Sequence, residues 1–162
     1  MISRIETESK VRVRTWLKIL KTSNFIEKYL RERLRNDHRT TLPRFDVMSA
    51  LYRSSSGLKM NEISGVLKVS NGNITGIIDR LVKEGHVLRV AIEGDRRSNL
   101  VKLTNKGIRQ FEEYAGAHEA WINVMLKNVS EQDSHVLIDL LDSAYQKDIC
   151  LRGQSYHIEY PH

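Results

Sequence analysis

Along the first quarter of the chain, Trp16, Leu17, Ile19, Leu20, Phe25, Ile26, Tyr29, Leu30 and Leu34 recur three and four residues apart. On a 3.6-residue turn this spacing places them along one broad apolar face. A long helix is predicted over residues 4–36, ended by the time the chain reaches Pro43, whose ring and missing N–H cannot continue it. Phe45, Val47, Met48, Leu51 and Tyr52 predict a shorter helix that stops at the polar run Ser54, Ser55, Ser56 and Gly57. Ile63, Val66 and Leu67 give a two-turn helix from about Met60, with Lys59 where a Ser, Thr or Asp cap is usual. After a break at Val69 and Ser70, Ile74, Ile77, Ile78, Leu81 and Val82 form a single stripe, with Ser70 able to cap it and Gly85 able to end it.

From Val87 the period drops to two, with Val87, Arg89 and Ala91 on one side and Leu88, Val90 and Ile92 on the other. A strand, a charged loop of Glu93, Gly94, Asp95, Arg96 and Arg97, and a return strand over Leu100–Leu103 are predicted. Thr104 can cap the next helix, in which Ile108, Phe111, Ala115, His118, Ile122 and Met125 make a seam suited to pairing with another helix. Ser130 can cap the last helix, which carries Val136, Leu137, Leu140, Leu141, Ala144 and Tyr145. The expected fold is mainly α with a small β-hairpin wing. Helix, turn, helix and hairpin in that order make a winged helix-turn-helix over residues 44–106. In that arrangement the second helix of the pair enters the major groove of duplex DNA and the hairpin meets an adjacent groove. Residues 4–36 and 107–150 are left as dimerisation helices and 151–162 as a tail, in a single unit.

Composition narrows the class. With 40% hydrophobic and 28% charged residues and two prolines, the chain suits a water-soluble, helix-rich protein. No apolar stretch is long enough for a membrane span or signal peptide, and the expected location is the cytoplasm. A single cysteine, Cys150, excludes an intrachain disulfide and a cysteine-based zinc framework. The net charge of +6 is unevenly spread: residues 1–58 hold 13 basic and 6 acidic side chains, residues 59–106 hold 9 and 5, and residues 107–162 hold 4 and 9. A basic front and an acidic rear can orient a protein on a polyanion, because each Lys or Arg at a phosphate releases counterions. A solvated surface accounts for the same charges without a partner.

If the stripe beginning at Ile74 faces the core, Asn71, Gly72, Asn73, Thr75, Gly76, Asp79 and Arg80 point elsewhere, and the DNA-facing set lies among them with Ser70 at the helix start. Asn can pair with adenine through two hydrogen bonds, Thr can touch a thymine methyl, and glycine lets backbone approach phosphate. Asn71, Asn73 and Thr75 are the base-contact candidates, with capping and solvent exposure as the plainer alternative. Arg96 or Arg97 can reach a narrow minor groove, where negative potential concentrates around a guanidinium. Asp95 repels phosphate and is expected to hold an arginine or the loop amides, and Asp79 to pair with a wing arginine. Arg80 and Lys83 have a surface salt bridge to Asp79 or Glu84 as their alternative.

The stretches VSNGNITGIIDRLVKEGHVLRV (Val69–Val90) and EGDRRSNLVKLTNKG (Glu93–Gly107) resemble the core of the multiple-antibiotic-resistance-regulator (MarR) family. The wing signature carries most of the resemblance: Asp95, Arg96 and Arg97, then Leu103, Thr104 and Gly107 at the junction into the next helix. It implies a homodimeric regulator on a palindromic operator in double-stranded DNA, a repressor released by a small molecule, and no cofactor. The helices before and after the wing match the family's dimerisation elements, which assigns Ile108, Phe111, Ala115, Ile122, Met125, Leu137 and Leu141 to the dimer interface, with an ordinary core as the alternative for the stripe from Ile108 to Met125 and for Trp16 and Trp121. The resemblance also implies an effector cleft between the dimer helices and the winged part, for which Trp16, Phe25, Tyr29, Arg44, Phe45 and Met48 are the candidates; an ordinary core explains them equally. TTLPRFDVMSALYR at Thr40–Arg53 is similar to regulators of aromatic-acid catabolism, some of which respond to aroyl coenzyme A thioesters. Arg31, Arg33, Arg35, Arg39 and Arg44 would suit thioester phosphates, or DNA phosphates flanking the operator.

Against an enzyme stand the lack of a glycine-rich phosphate loop, of a nucleophile paired with a base, and of metal-ligand spacing among six histidines. His118 reads as a packed histidine rather than a metal ligand. Cys150 lies far from the first helix, where peroxide-sensing relatives carry their reactive thiol, so a redox switch is not expected. The remaining alternative is a protein-interaction module on the same fold that binds no DNA.

Overall fold

The computed structural model describes residues 8–67, 71–92 and 95–144, with 71, 92 and 95–98 described by backbone only. The chain runs α1 (Glu8–His38), α2 (Leu42–Arg53), β1 (Leu58–Lys59), α3 (Met60–Leu67), α4 (Asn71–Lys83), β2 (Val87–Ile92), β3 (Asp95–Leu103), α5 (Asn105–Met125) and α6 (Glu131–Ala144). Residues 1–124 form one compact unit and residues 125–162 a second. The candidate interface lies in the first.

Ile63, Ile74, Ile78, Leu81 and Val101 have no exposed surface and, with Leu34, Val47, Met48 and Leu51, form the centre of the core. Each fully buried aliphatic side chain contributes roughly 1.5–3 kcal/mol relative to its exposed state. Three such residues on α4 fix which face that helix turns outward. α1 ends in a left-handed residue, Arg39 (φ 51°), and the Thr40 amide closes back on the Leu34 carbonyl at 3.1 Å. His38 then packs its ring edge-on against Tyr114 (5.1 Å between centroids) and near Trp121 (5.7 Å), tying the end of α1 to α5. Arg33 lies over the Trp121 ring at 5.2 Å and pairs with Asp37 at 2.8 Å.

The sheet has three strands rather than the expected two. β1 pairs antiparallel with β3, Leu58 opposite Val101 and Lys59 opposite Leu100, and β3 lies between β1 and β2. A two-residue strand has no period to read, so the run after Gly57 shows only as a turn in the sequence. Gly57 itself adopts φ 91°, and a Cβ there would meet the Val101 carbonyl oxygen at 2.9 Å. β3 begins at Asp95, so Asp95, Arg96 and Arg97 belong to a strand and not to the expected loop. Among the described side chains of β2, Val87 is buried, while Leu88, Arg89, Val90 and Ala91 project outward as the wing leaves the core.

The caps explain the boundaries. Lys59, unsuited as a side-chain cap, has its own amide bound by Glu62 Oε2 at 2.7 Å, the backbone half of a capping box. Thr104 Oγ1 accepts the Gly107 amide at 3.0 Å and starts α5; Ser130 Oγ accepts the Asp133 amide at 3.1 Å and starts α6. In α6, Val136, Leu137, Ile138, Leu140 and Leu141 are all exposed.

Candidate nucleic-acid interface

With Ile74, Ile78 and Leu81 inward, the helical period turns Gly72, Asn73, Thr75, Gly76, Asp79 and Arg80 of α4 to solvent. Asn71 opens the helix, its side chain lies outside the described residues, and Ser70 does too. Of the wing set, Asp95, Arg96 and Arg97 are placed by backbone on β3 and their side chains are not described. Asp79, expected to hold a wing arginine, accepts Arg89 Nη2 of β2 at 2.6 Å and so braces the exposed face of α4 against the base of the wing.

The C-terminal end of α4 is held from three sides. Gly85 (φ 75°) donates to the Val82 carbonyl at 2.9 Å and His86 to the Leu81 carbonyl at 2.9 Å, the paired bonds of a Schellman end. Lys106 Nζ donates to the Glu84 carbonyl at 2.8 Å, Thr104 Oγ1 to the Gly85 carbonyl at 2.7 Å, and the Thr104 amide to the His86 carbonyl at 3.0 Å. Arg44 of α2 grips the Glu84 carboxylate with both terminal nitrogens, Nη1 to Oε1 at 2.9 Å and Nη2 to Oε2. The bond from Arg44 holds the Glu84 carboxyl below its ordinary pKa, although partial burial opposes it. Burial, followed by the charge of Lys106, lowers the pKa of His86 next to it.

Beside this face opens a cleft of about 430 Å³ lined by Arg31, Arg35, Arg39 and Arg44 on one wall and by Asn73, Gly76 and Arg80 of α4 on the other. Among the described residues, no acidic side chain lines it. Arg31 pairs back to Glu27 on its own helix, whereas Arg35, Arg39 and Arg80 have no carboxylate partner among the described residues. Clustered guanidinium groups in a concave, partly desolvated wall attract an anion more strongly than the same charges spread over a surface.

Of the expected effector residues, Tyr29, Phe45 and Met48 come together in the core and the others stand apart. Trp16 and Phe25 are 58% and 64% exposed on α1, and Tyr29 packs at the edge of the core. Phe45 and Met48 are buried within the core, because α2 turns them toward α5 and α4 rather than toward a cavity. Arg44 alone of that set lines the cleft. The expected dimer seam is corrected in part: Phe111 is buried within its own chain, 5.5 Å from the Phe45 ring and 4.8 Å from that of Tyr52, and Ala115 and Ile122 pack against the same core. Phe111 and His118 of this seam meet Phe45 and Tyr52 of α2. Ile108 and Met125 are half-buried, and Leu137 and Leu141 of α6 are exposed. His118 stacks on Phe45 at 4.8 Å and burial lowers its pKa, as for a packed histidine. The clamp of Arg44 on Glu84 and the Arg80 wall of the cleft were not readable from the sequence, since the partners lie 40 residues apart.

Comparison with known proteins places this geometry. Residues 40–98 match the MarR family. The chain is 32% identical over 122 residues to the transcriptional activatory protein BadR of Rhodopseudomonas palustris, covering 71% of this chain and 70% of BadR. Its fold is similar to the crystal structure of a MarR family transcriptional regulator from Silicibacter pomeroyi, with a TM-score of 0.66, 33% identity, and 86% and 99% of the two chains covered. It is also similar to a mutant MarR from E. coli complexed with operator DNA, with a TM-score of 0.71, 25% identity, and 87% and 100% covered.

Proposed function

This chain belongs to the MarR family of DNA-binding transcription regulators, and from that premise we propose that it acts as a homodimer on a palindromic operator, presenting α4 to the major groove and the wing to an adjacent groove. The observation that carries the reading is the outer face of α4: Asn73, Gly76 and Arg80 stand exposed on a helix whose other face is locked into the core. Asn73 reads a base edge, Gly72 and Gly76 admit the phosphate backbone, and Arg35 and Arg39 add phosphate attraction beside them. Asn71, Thr75, Arg96 and Arg97 complete the contact set. Occupying an operator blocks transcription without any added contact to polymerase, which favours repression. The cleft beside α4 takes a small anionic ligand, an aromatic or acyl acid or its coenzyme A thioester. Its occupant lies against Asn73 and Arg80 and lowers DNA affinity.

The test is a duplex selected from genomic DNA by the protein itself and titrated at several salt concentrations. Asn73→Ala should lose about 1–3 kcal/mol on the selected duplex and little on random DNA. Arg96→Ala with Arg97→Ala should weaken both and flatten the salt slope. Equal affinity of the parent for selected and random duplexes would reject sequence-specific binding, and no salt-sensitive binding to either would favour a DNA-free interaction module.

A further inference from the structure

We propose that Arg44 couples the arginine-lined cleft to the C-terminal turn of α4: an anion in the cleft draws its guanidinium away from Glu84, and the turn from Val82 to His86 loosens. This rests on the reading of the cleft as an anion site. Three observations converge on Arg44. Its side chain forms part of the cleft wall. Its two terminal nitrogens hold Glu84, the residue that caps α4. Its Nε is buried without a hydrogen-bond partner, so the pair with Glu84 leaves one donor unsatisfied. An anion bonded to Arg31, Arg35 and Arg39 gives Arg44 a competing acceptor, and a bidentate anion can engage Nε together with a terminal nitrogen.

The consequence follows from where Glu84 stands. A carboxylate at a helix C-terminus gains nothing from the helix dipole, so Glu84 steadies the end of α4 only through the side chain that bonds it. Arg44 is the side chain bonded to its carboxylate; Arg44 is 18% exposed and Glu84 40%, so solvent screens the pair in part and leaves it open to competition. Once Arg44 turns to the cleft, the last turn of α4 loses its side-chain tie to α2, and the bonds from Lys106 and Thr104 to its carbonyls are left to hold it. The bonds from Gly85 to Val82 and from His86 to Leu81 open more often. Because α4 carries the DNA-facing side chains, anion binding and a firmly held α4 oppose each other, and by linkage each weakens the other equally.

The experiment measures amide hydrogen exchange at Gly85 and His86 in the full-length protein, with inorganic pyrophosphate as the probe and calorimetry to follow its binding. Saturating pyrophosphate should speed exchange at both amides about tenfold in the parent. Glu84→Gln, which removes the charge and keeps the shape, should exchange rapidly without the probe, show no further response to it, and bind it about fivefold more tightly because Arg44 is already free. Pyrophosphate that binds without changing exchange at Gly85 and His86, a Glu84→Gln protein that binds it more weakly, or no binding of pyrophosphate to the parent would each overturn the coupling. The DNA titration of the probe-free parent reads the proposed function separately, so intact DNA binding with no exchange response condemns the coupling alone.

Discussion

Asp46 of α2 shows how one side chain escapes a reading by sequence. Burial, reinforced by the charge of Glu27 and opposed by Arg31, pushes its carboxyl up from 3.8 to about 6. The folded chain therefore holds a proton that the unfolded chain has released, and the stability this gives is complete below 3.8 and lost as pH rises through about 6. Asp46→Asn should stabilise the fold near neutral pH by about 1 kcal/mol, after allowing for solvent access to a partly buried group, and by nothing near pH 4. Urea midpoints at the two pH values decide it; an equal gain at both would put the cause in helix propensity instead of titration. In sequence, Asp46 is one more polar residue in RFDVM, because its burial and the charges of Glu27 and Arg31 on α1 come only with the fold. The backbone bond from Lys59 to Glu62 was closer to legible, since a Glu three residues into a helix is half of a known cap.

At the scale of elements, the junction between α4, β2 and α5 rests on Gly107. A Cβ at this position would lie 2.0 Å from the His86 carbonyl oxygen, a backbone atom that cannot move aside, and 3.2 Å from Leu103. That approach lets the Thr104 hydroxyl and amide reach the Gly85 and His86 carbonyls and so seals the end of α4. Gly107→Ala should cost about 2–4 kcal/mol through overpacking and the lost caps, seen as a lower urea midpoint. An unchanged midpoint would mean that the first turn of α5 can shift without strain. The helices were legible because 3.6-residue periods repeat over ten or more residues, and Thr104, Ser130 and Gly85 marked their ends. β1 was not legible, and neither was the start of β3 at Asp95, because two residues show no period and Asp95, Arg96 and Arg97 offer no apolar residue to alternate with.

At the scale of the molecule, α1 and α6 each carry a run of exposed apolar side chains among the described residues. Val13, Trp16, Leu17 and Leu20 are exposed on the N-terminal half of α1, and the apolar side chains of α6 are exposed throughout. Runs of exposed apolar side chains suit a partner surface, and a second copy of the chain is the partner the proposed function requires. Leu17→Glu with Leu20→Glu should dissociate the dimer while leaving the core of residues 26–121 intact, because neither side chain contributes to it. Sedimentation together with circular dichroism tests this: a dimer of unchanged affinity would exclude the N-terminal half of α1 from the interface. Operator affinity should fall with dissociation, since a monomer forfeits the second half-site. Ile122, attractive in sequence as a seam position, is a poorer choice for this test because it packs partly against its own core.

The sequence by itself determined the order and type of the helices, the wing, the outward face of α4 and the family. Each of these is written in local periods, caps and a short motif, which operate over a few residues and need no knowledge of neighbours in space. The tertiary structure decided what depends on partners distant in the chain: that the α5 stripe packs against α2, that Phe45 and Met48 fill the core instead of a ligand cleft, and that Arg44 meets both Glu84 and the arginine wall. An apolar stripe announces that it will be buried without naming the surface that will bury it, and an arginine announces its charge without naming its carboxylate. Those choices are made by packing, where volume and desolvation select one partner among several that the pattern allows.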